Sequence, residues 1–248
     1  MTDDPLVARL RAVGCVFAEE EAAEIRRVLR DPDAMESVVA ARAAGMPLEQ
    51  ALGRARFAGM DLELAPGVFV PRRRAEAIVD AAVAARPRAR LVADLGTGNG
   101  AIAAALTERM PLADVHAADL DPAAVAVARR NGARVGFDVH RGDWWEALPP
   151  SLRGRIELAT AYLPHVPTAR LDHIPRDFRE HEPELAVHGG ADGLDPLRAV
   201  LAGMSAWTAP GGAFVTLVAE EQVETARGLG EHLTVIEAED DAVLVFAD

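Results

Sequence analysis

The 248-residue sequence contains no lysine, because all 26 of its basic residues are arginine. Lysine chemistry is therefore excluded. The chain also has a single cysteine, Cys15, which excludes an internal disulfide and a cysteine-rich zinc site. Its net charge of −13 argues against a dedicated nucleic-acid-binding protein, since such proteins are usually basic.

Long apolar runs are also missing. No stretch is long enough to cross a bilayer, and no basic segment followed by an apolar one resembles a signal peptide. We therefore expect a cytoplasmic monomer that contacts neither membrane nor nucleic acid. With 50% hydrophobic and 26% charged residues, the composition is typical of a soluble globular protein. The length allows one large α/β domain and a small appendage.

A glycine-rich stretch, LVADLGTGNGA at residues 91–101, is the most informative part of the chain. A short apolar run is followed by Gly96, Gly98 and Gly100 and then by an alanine-rich helical pattern. This order predicts a buried strand, a tight loop and the start of a helix. Glycines let a ligand approach the main chain closely, and a helix start offers unpaired N–H groups.

Acidic residues at three successive strand ends indicate which ligand the loop binds. Asp94 precedes the first glycine, where it would repel a pyrophosphate but suit the ammonium group of S-adenosylmethionine. Asp119 follows the second apolar run and could bind ribose hydroxyls. Asp143 could accept a hydrogen bond from an adenine amino group while Trp144 covers the base. The set favours S-adenosylmethionine; the alternatives are a dinucleotide, or aspartates that merely cap the helices after them.

Strand and helix patterns alternate from residue 91 onward. They predict an α/β, Rossmann-like fold with a seven-stranded sheet that ends in a C-terminal antiparallel hairpin turning at Glu239-Asp240-Asp241. The predicted strands are 91–95, 114–118, 134–140, 156–161, 213–218, 232–237 and 242–246. Ligands are expected at the carboxyl ends of the parallel strands.

The first 90 residues predict a separate appendage. Three helical patterns, the first capped by Asp4-Pro5, are followed by a β-hairpin at 56–64 and a helix at 75–86. We divide the chain into a helical domain (1–55), a hairpin with a linker helix (56–90) and the domain expected to bind S-adenosylmethionine (91–248). The helical domain either stabilises the main domain or recognises a substrate. The run 72–74 is either a solvated charge run or part of the cofactor-pocket entrance.

Several separated motifs together resemble the protein-(glutamine-N5) methyltransferases that modify peptide chain release factors. The matching motifs are Pro47-Leu48-Glu49-Gln50 through Phe57-Ala58-Gly59, Pro66-Gly67-Val68-Phe69-Val70-Pro71-Arg72, Asp94-Leu95-Gly96-Thr97-Gly98, Gly142-Asp143, Glu182-Pro183-Glu184-Leu185-Ala186 and Gly189-Gly190-Ala191-Asp192-Gly193-Leu194. The resemblance covers nearly the whole chain and points to a divergent, high-GC bacterial branch.

The resemblance implies a class I fold, S-adenosyl-L-methionine as cofactor, and a protein partner, a release factor or another protein, engaged by the helical domain. The cofactor-binding residues it implies, together with those argued above, are Phe69, Pro71, Arg72, Asp94, Gly96, Thr97, Gly98, Gly100, Asp119, Leu120, Asp143 and Trp144.

One departure from the family concerns the catalytic loop. Where the family carries Asn-Pro-Pro-Tyr, this chain has Tyr162-Leu163-Pro164-His165. In the family the asparagine oxygen and the next carbonyl accept the two amide hydrogens of glutamine and orient the nitrogen. Here the Leu163 carbonyl remains, Tyr162 offers a hydroxyl, and neither asparagine of the chain lies near this loop.

The altered loop leaves the acceptor open. His165 could titrate near neutral pH, which would suit a hydroxyl, amine or imidazole acceptor, or it could have no catalytic role. The alternatives are therefore a methyltransferase retargeted to a small-molecule N or O acceptor, a silent homologue that only binds the cofactor, and a dehydrogenase. We expect no metal site, since the spacing of His173 and His181 fits no standard ligand pattern.

Overall fold

The computed structural model describes residues 4–230, 233–238 and 241–247. Its α-helices are α1 Pro5–Ala12, α2 Ala18–Val28, α3 Pro32–Ala43, α4 Leu48–Leu52, α5 Glu76–Ala85, α6 Ala101–Arg109, α7 Pro122–Val135, α8 Arg176–His181, α9 Asp195–Trp207 and α10 Val223–Arg227. Its strands are β1 Arg54–Phe57, β2 Met60–Glu63, β3 Leu91–Leu95, β4 Asp114–Asp119, β5 Asp138–Arg141, β6 Ile156–Ala161, β7 Thr208–Ala219, β8 Leu233–Ala238 and β9 Asp241–Ala247. None of the described helices is both long enough and apolar enough to span a bilayer.

The first N-terminal helix begins where the sequence predicts. The Asp4 side chain accepts a hydrogen bond from the Leu6 N–H at 3.0 Å, with a proline at the first helical position. The same arrangement at Asp31 starts α3 at Pro32, two residues before Ala34, where the helical pattern of the sequence predicts the start. Helices α1 to α4 enclose a small core of their own that includes the fully buried Leu10 and Ile25.

The predicted β-hairpin is confirmed as β1 and β2. Its two-residue turn places Ala58 and Gly59 at φ 48° and 79°, the left-handed pair that a tight hairpin turn requires. The hairpin is joined to α7 through Asn131, whose Oδ1 accepts the Glu63 N–H at 2.9 Å. The hairpin therefore lies against the main domain rather than apart from it.

The main sheet has seven strands in the order β5-β4-β3-β6-β7-β9-β8. Strands β3 to β7 are parallel, whereas β9 runs antiparallel to both β7 and β8. The predicted fold class and its terminal antiparallel pair are confirmed. The predicted turn at Glu239-Asp240-Asp241 lies largely outside the described residues.

Apolar side chains cover both faces of the sheet. On one face, helices α5 and α6 pack Ile78 and Leu106 against strand residues such as Leu158. On the other, Trp207 of α9 packs with Trp145 and Phe214. Burial on both faces explains why β3, buried along its whole length, reads as a nearly continuous apolar run.

The structure differs from the sequence predictions at two places in this domain. Residues 134–140 are not a single strand: α7 continues to Val135, Gly136 at φ 108° ends it, and β5 begins only at Asp138. The stretch 163–193 is hereafter called the connecting segment. The polar composition of residues 168–193 predicts only a long connection of the kind that forms lids or substrate walls, whereas the structure has α8 and two short 3₁₀ helices there, Thr168–His173 and Glu184–Ala186.

Candidate active site

The glycine loop connects β3 to α6 at the carboxyl edge of the sheet. The Thr97 N–H donates to the Ala118 carbonyl at 2.9 Å, which ties the loop to β4. A Cβ placed on Gly98 would meet no atom within 4 Å, so this glycine, at φ +58°, faces open space. A Cβ on Gly100 would lie 2.7 Å from Cζ of Phe137. The two glycines therefore serve different needs, ligand approach at Gly98 and packing at Gly100.

Asp94 lies behind this loop rather than on its open side. Its two carboxylate oxygens accept hydrogen bonds from the hydroxyls of Thr97 at 2.6 Å and Thr160 at 2.9 Å. Burial raises the pKa of Asp94 to about 6. The structure thus does not place this carboxylate on the cleft wall, and its nearest route to a ligand is through Thr97.

Asp119 ends β4 and does face the cleft. One carboxylate oxygen accepts the Gly98 N–H at 2.7 Å and the other accepts the Asp121 N–H at 2.9 Å. Burial raises the pKa of Asp119 above its usual value. Each oxygen keeps a second lone pair, so the carboxylate can accept two further hydrogen bonds from a ligand.

Asp143 and Trp144 follow β5 at the same edge. The Gly142 N–H donates to the Asp119 carbonyl at 3.0 Å, which holds this turn beside β4. Trp144 has φ 40°, a left-handed conformation that is strained for an aromatic residue and typical of functional positions. Its ring packs over the glycine loop, since a Cβ on Gly96 would lie 3.1 Å from Cζ3 of Trp144.

These elements line one cleft that is open to solvent. The sequence-predicted residues on its wall are Phe69, Pro71, Arg72, Gly96, Thr97, Gly98, Asp119, Leu120, Asp143, Trp144, Tyr162 and Pro164. Four others that we predicted lie off the wall: Asp94, Gly100, Leu163 and His165. The cleft therefore joins most of the predicted cofactor residues to the start of the altered loop.

Tyr162 is held in place by an arginine. The Arg74 Nε–H donates to the Tyr162 hydroxyl at 2.8 Å, and Arg74 is itself paired with Asp241 at 3.1 Å. The Tyr162 ring lies 5.9 Å from that of Phe69. Burial raises the pKa of Tyr162, so this phenol is neutral at ordinary pH. Arg74 thus has a specific partner and is not simply part of a solvated charge run.

Two other residues of the loop, Leu163 and His165, do not line the cleft. The Leu163 side chain is buried in the core, and its carbonyl lies 2.9 Å from Nδ1 of His165, which donates to it. The carbonyl that remains as an amide acceptor in the altered loop therefore already uses one of its two lone pairs. Burial lowers the pKa of His165, so its imidazole is neutral at pH 7.

Glu182 holds two residues of the segment before α5, Val70 and Arg72, in place beside the cleft. This role was not predicted from the sequence. The Glu182 carboxylate accepts the Val70 N–H at 2.9 Å and pairs with the Arg72 guanidinium at 2.6 Å. Arg72 also stacks between the rings of Phe69 and Phe178, 4.6 and 4.2 Å from their centroids. The sequence signal was the Glu182-Pro183 pair, which we used only as a family motif. The unpredicted wall residues include Phe57, Asn99, Pro183, Leu185 and Ala186.

Known proteins are similar to this chain over most of its length. The family described as "Methyltransferase domain" matches residues 92–181. A release factor glutamine methyltransferase of Geobacter sulfurreducens is 36% identical over 198 residues, which cover 79% of this chain and 69% of that protein. The Streptomyces coelicolor protein of the same name is 39% identical over 191 residues, 75% of this chain and 67% of that protein.

Solved structures give the same fold at lower identity. A 16S rRNA methyltransferase of Thermus thermophilus, solved with AdoMet and guanosine, has a TM-score of 0.59 and 21% identity, covering 79% of this chain and 49% of that one. A ribosomal-protein methylase of Lactobacillus delbrueckii has a TM-score of 0.52 and 14% identity, covering 70% and 78%. These similarities confirm the class I methyltransferase fold.

Proposed function

Because this chain belongs to the release factor glutamine methyltransferase family and is a methyltransferase, we propose that it transfers a methyl group from S-adenosylmethionine to a glutamine side chain of a release factor or a related protein. The observation that carries the proposal is one continuous cleft, which runs from the glycine loop and Asp119 to the hydroxyl-bearing ring of Tyr162.

The wall of the cleft fits the cofactor. The open space at Gly98 admits a ligand against the main chain, and the two free lone pairs of Asp119 suit the two ribose hydroxyls. Asp143 would accept from the adenine amino group while Trp144 covers the base. Asp94 would not contact the methionine end of the cofactor; it would orient the Thr97 hydroxyl, which lies between Asp94 and the cleft. When bound, the cofactor supplies an electrophilic methyl group on a sulfonium.

The loop at Tyr162 supports positioning of an amide. An amide nitrogen is a poor nucleophile, so it needs acceptors for its hydrogens rather than a base. Arg74 uses one lone pair of the Tyr162 hydroxyl, and the other lone pair is free to accept an amide hydrogen. His165 is neutral, donates to the Leu163 carbonyl and does not reach the cleft wall, which argues against proton abstraction from a hydroxyl substrate.

The helical domain is the proposed docking site for the substrate protein, with residues 91–248 carrying the chemistry. Gln50 of α4 donates to the Val68 carbonyl at 2.9 Å and to the His181 carbonyl at 3.0 Å. Arg42 of α3 lies 3.6 Å from Asp177 of α8. A protein bound to these helices would therefore sit beside the connecting segment, whose Leu185 lines the cleft mouth.

The test is methyl transfer to purified release factor with a labelled cofactor. We expect label on one glutamine of the release factor, and a fall in kcat of about tenfold or more with Tyr162→Phe, at unchanged cofactor affinity. Tyr162→Asn, which restores the family residue, should retain or increase this activity. Cofactor binding without any label on release factor would contradict the acceptor assignment and favour a small-molecule or silent alternative.

A further inference from the structure

A second cluster of ionisable side chains lies away from the cleft, where β4 and β5 begin. Asp114 and His116 are two residues apart on β4, and Asp138 and His140 are two residues apart on β5. His116 is paired in register with Asp138. Because side chains alternate between the faces of a strand, these four residues project from one face of the sheet at its edge.

His116 is the buried member of this cluster. It is only 7% exposed, and its Nδ1 lies 3.0 Å from Nε2 of His140. Within the described part of the chain, the buried Nε2 of His116 has no hydrogen-bond partner. It lies 3.4 Å from Oδ2 of Asp114, and the ligand atoms of Asp114, His116 and Asp138 all lie within 4.8 Å of one another. When His116 carries its ring proton on Nδ1, in the hydrogen bond with His140, its Nε2 has a lone pair and no hydrogen. Nε2 and the carboxylates of Asp114 and Asp138 are then three electron-pair donors that face one another with no N–H or O–H among them.

We propose that Asp114, His116 and Asp138 bind a divalent transition-metal ion, with Zn²⁺ as the ion that best matches these ligands. Metal–ligand bonds of about 2.0–2.1 Å in a tetrahedron place neighbouring ligand atoms about 3.3 Å apart. The observed 3.4 Å between Asp114 and His116 fits this spacing. The imidazole disfavours Mg²⁺ and Ca²⁺, which prefer oxygen ligands.

His140 would act behind the ligands. A histidine that binds a metal through one ring nitrogen usually donates its other N–H to an orienting partner, and Nε2 of His140 is placed to accept it. Arg129 lines the adjoining recess and opposes a cation, so the affinity will be lower than in a site without it. The ion would hold the edge strand β5 to β4 at the end opposite the cleft, with solvent completing its coordination beyond the three protein ligands.

The test uses the full chain, without an affinity tag and stripped of metal. Titration with Zn²⁺ should show one ion per chain and raise the midpoint of thermal unfolding, and Co²⁺ should give the visible absorption of a tetrahedral site. The double variant Asp114→Asn with Asp138→Asn removes two exposed carboxylates, and should bind Zn²⁺ at least tenfold more weakly. Asp172→Asn and His173→Gln, two exposed residues elsewhere, are matched controls expected to bind as the wild type does.

Circular dichroism and cofactor binding check that the double variant is folded. Absence of Zn²⁺ binding by the wild type, or a loss of less than tenfold in the folded double variant, overturns the proposal. An equal rise in the unfolding midpoint with Mg²⁺ overturns the assignment to a transition metal.

Discussion

Asp119 gives the sharpest test of the cofactor assignment. Its carboxylate is the only side chain of the described residues that bonds both to the glycine loop at Gly98 and to the turn at Asp121 while lining the cleft. Replacement by alanine removes the acceptors proposed for the two ribose hydroxyls. Replacement by asparagine keeps one acceptor oxygen and removes the charge.

The size of the effect follows from the two hydrogen bonds. A hydrogen bond to a charged group contributes about 1.5–3 kcal/mol, so the loss of two costs at least about 3 kcal/mol. Asp119→Ala should therefore raise the dissociation constant of S-adenosylmethionine about 150-fold. Asp119→Asn should raise it about tenfold, because one acceptor is retained.

Isothermal titration calorimetry with S-adenosylmethionine and with S-adenosylhomocysteine measures this loss, which should be equal for both because they share the ribose. Asp121→Ser is the matched control: the Asp121 carboxylate caps α7 by accepting the Ala123 N–H at 2.8 Å, and serine preserves a cap. We expect its affinity within about threefold of wild type. An Asp119→Ala protein that binds within about threefold of wild type would refute the ribose assignment.

Three further predictions test the surroundings of the site. Burial lowers the pKa of His165 below 6.5, so folding favours its neutral form. The thermal unfolding midpoint should therefore fall as the pH drops below 6.5, and it should fall less in His165→Gln. The pH profile of kcat should have the same shape in the variant as in the wild type. Glu182→Gln leaves the partly buried Arg72 without its countercharge and should cost about 2 kcal/mol, or about 4–8 °C in the thermal midpoint. The exposed Glu184→Gln should change the midpoint by less than about 1 °C, and equal shifts in the two variants would contradict a stabilising role of the Glu182–Arg72 pair. Gly98→Ala should weaken cofactor binding, measured by calorimetry, in a protein that still folds. Gly100→Ala should mainly lower the thermal unfolding midpoint, because its methyl group meets the Phe137 ring. An unchanged cofactor affinity in Gly98→Ala would contradict the approach of a ligand to Gly98.

The order of strands and helices was readable from the sequence where local signals agreed with the tertiary structure. Strands β3 and β6 have the predicted bounds, because each is an apolar run bounded by turn residues. The sequence pattern predicts that the helix after Asp121-Pro122 ends at Asn131, whereas α7 continues to Val135. In the structure Asn131 is buried and bonds to the hairpin, and a Cβ on Gly132 would lie 2.5 Å from the Phe137 carbonyl oxygen. Tertiary packing, not termination, explains both residues.

Side-chain orientation within the site was less accessible to sequence reasoning. The position of Asp94 before the first glycine predicted an acidic group near the ligand, but its orientation depends on Thr160, a residue of a different strand. The partners of Tyr162 and Glu182 are likewise distant along the chain, at Arg74 and Arg72. Spacing along a sequence places residues at one edge of a sheet, and only the packed structure shows which of them turn toward the cleft.

The contacts of Gln50 have a thermodynamic consequence. One amide group joins the helical domain to the segment that carries Phe69 and to the segment that carries Glu182, and both of these segments wall the cleft. A protein that binds here and stabilises this junction would also change the affinity of the cleft for its ligand. By thermodynamic reciprocity, the ligand in the cleft would change the affinity for the protein by the same coupling free energy. If the proposed methyl donor and the proposed substrate protein both stabilise this junction, saturation with one should tighten the binding of the other by an identical factor.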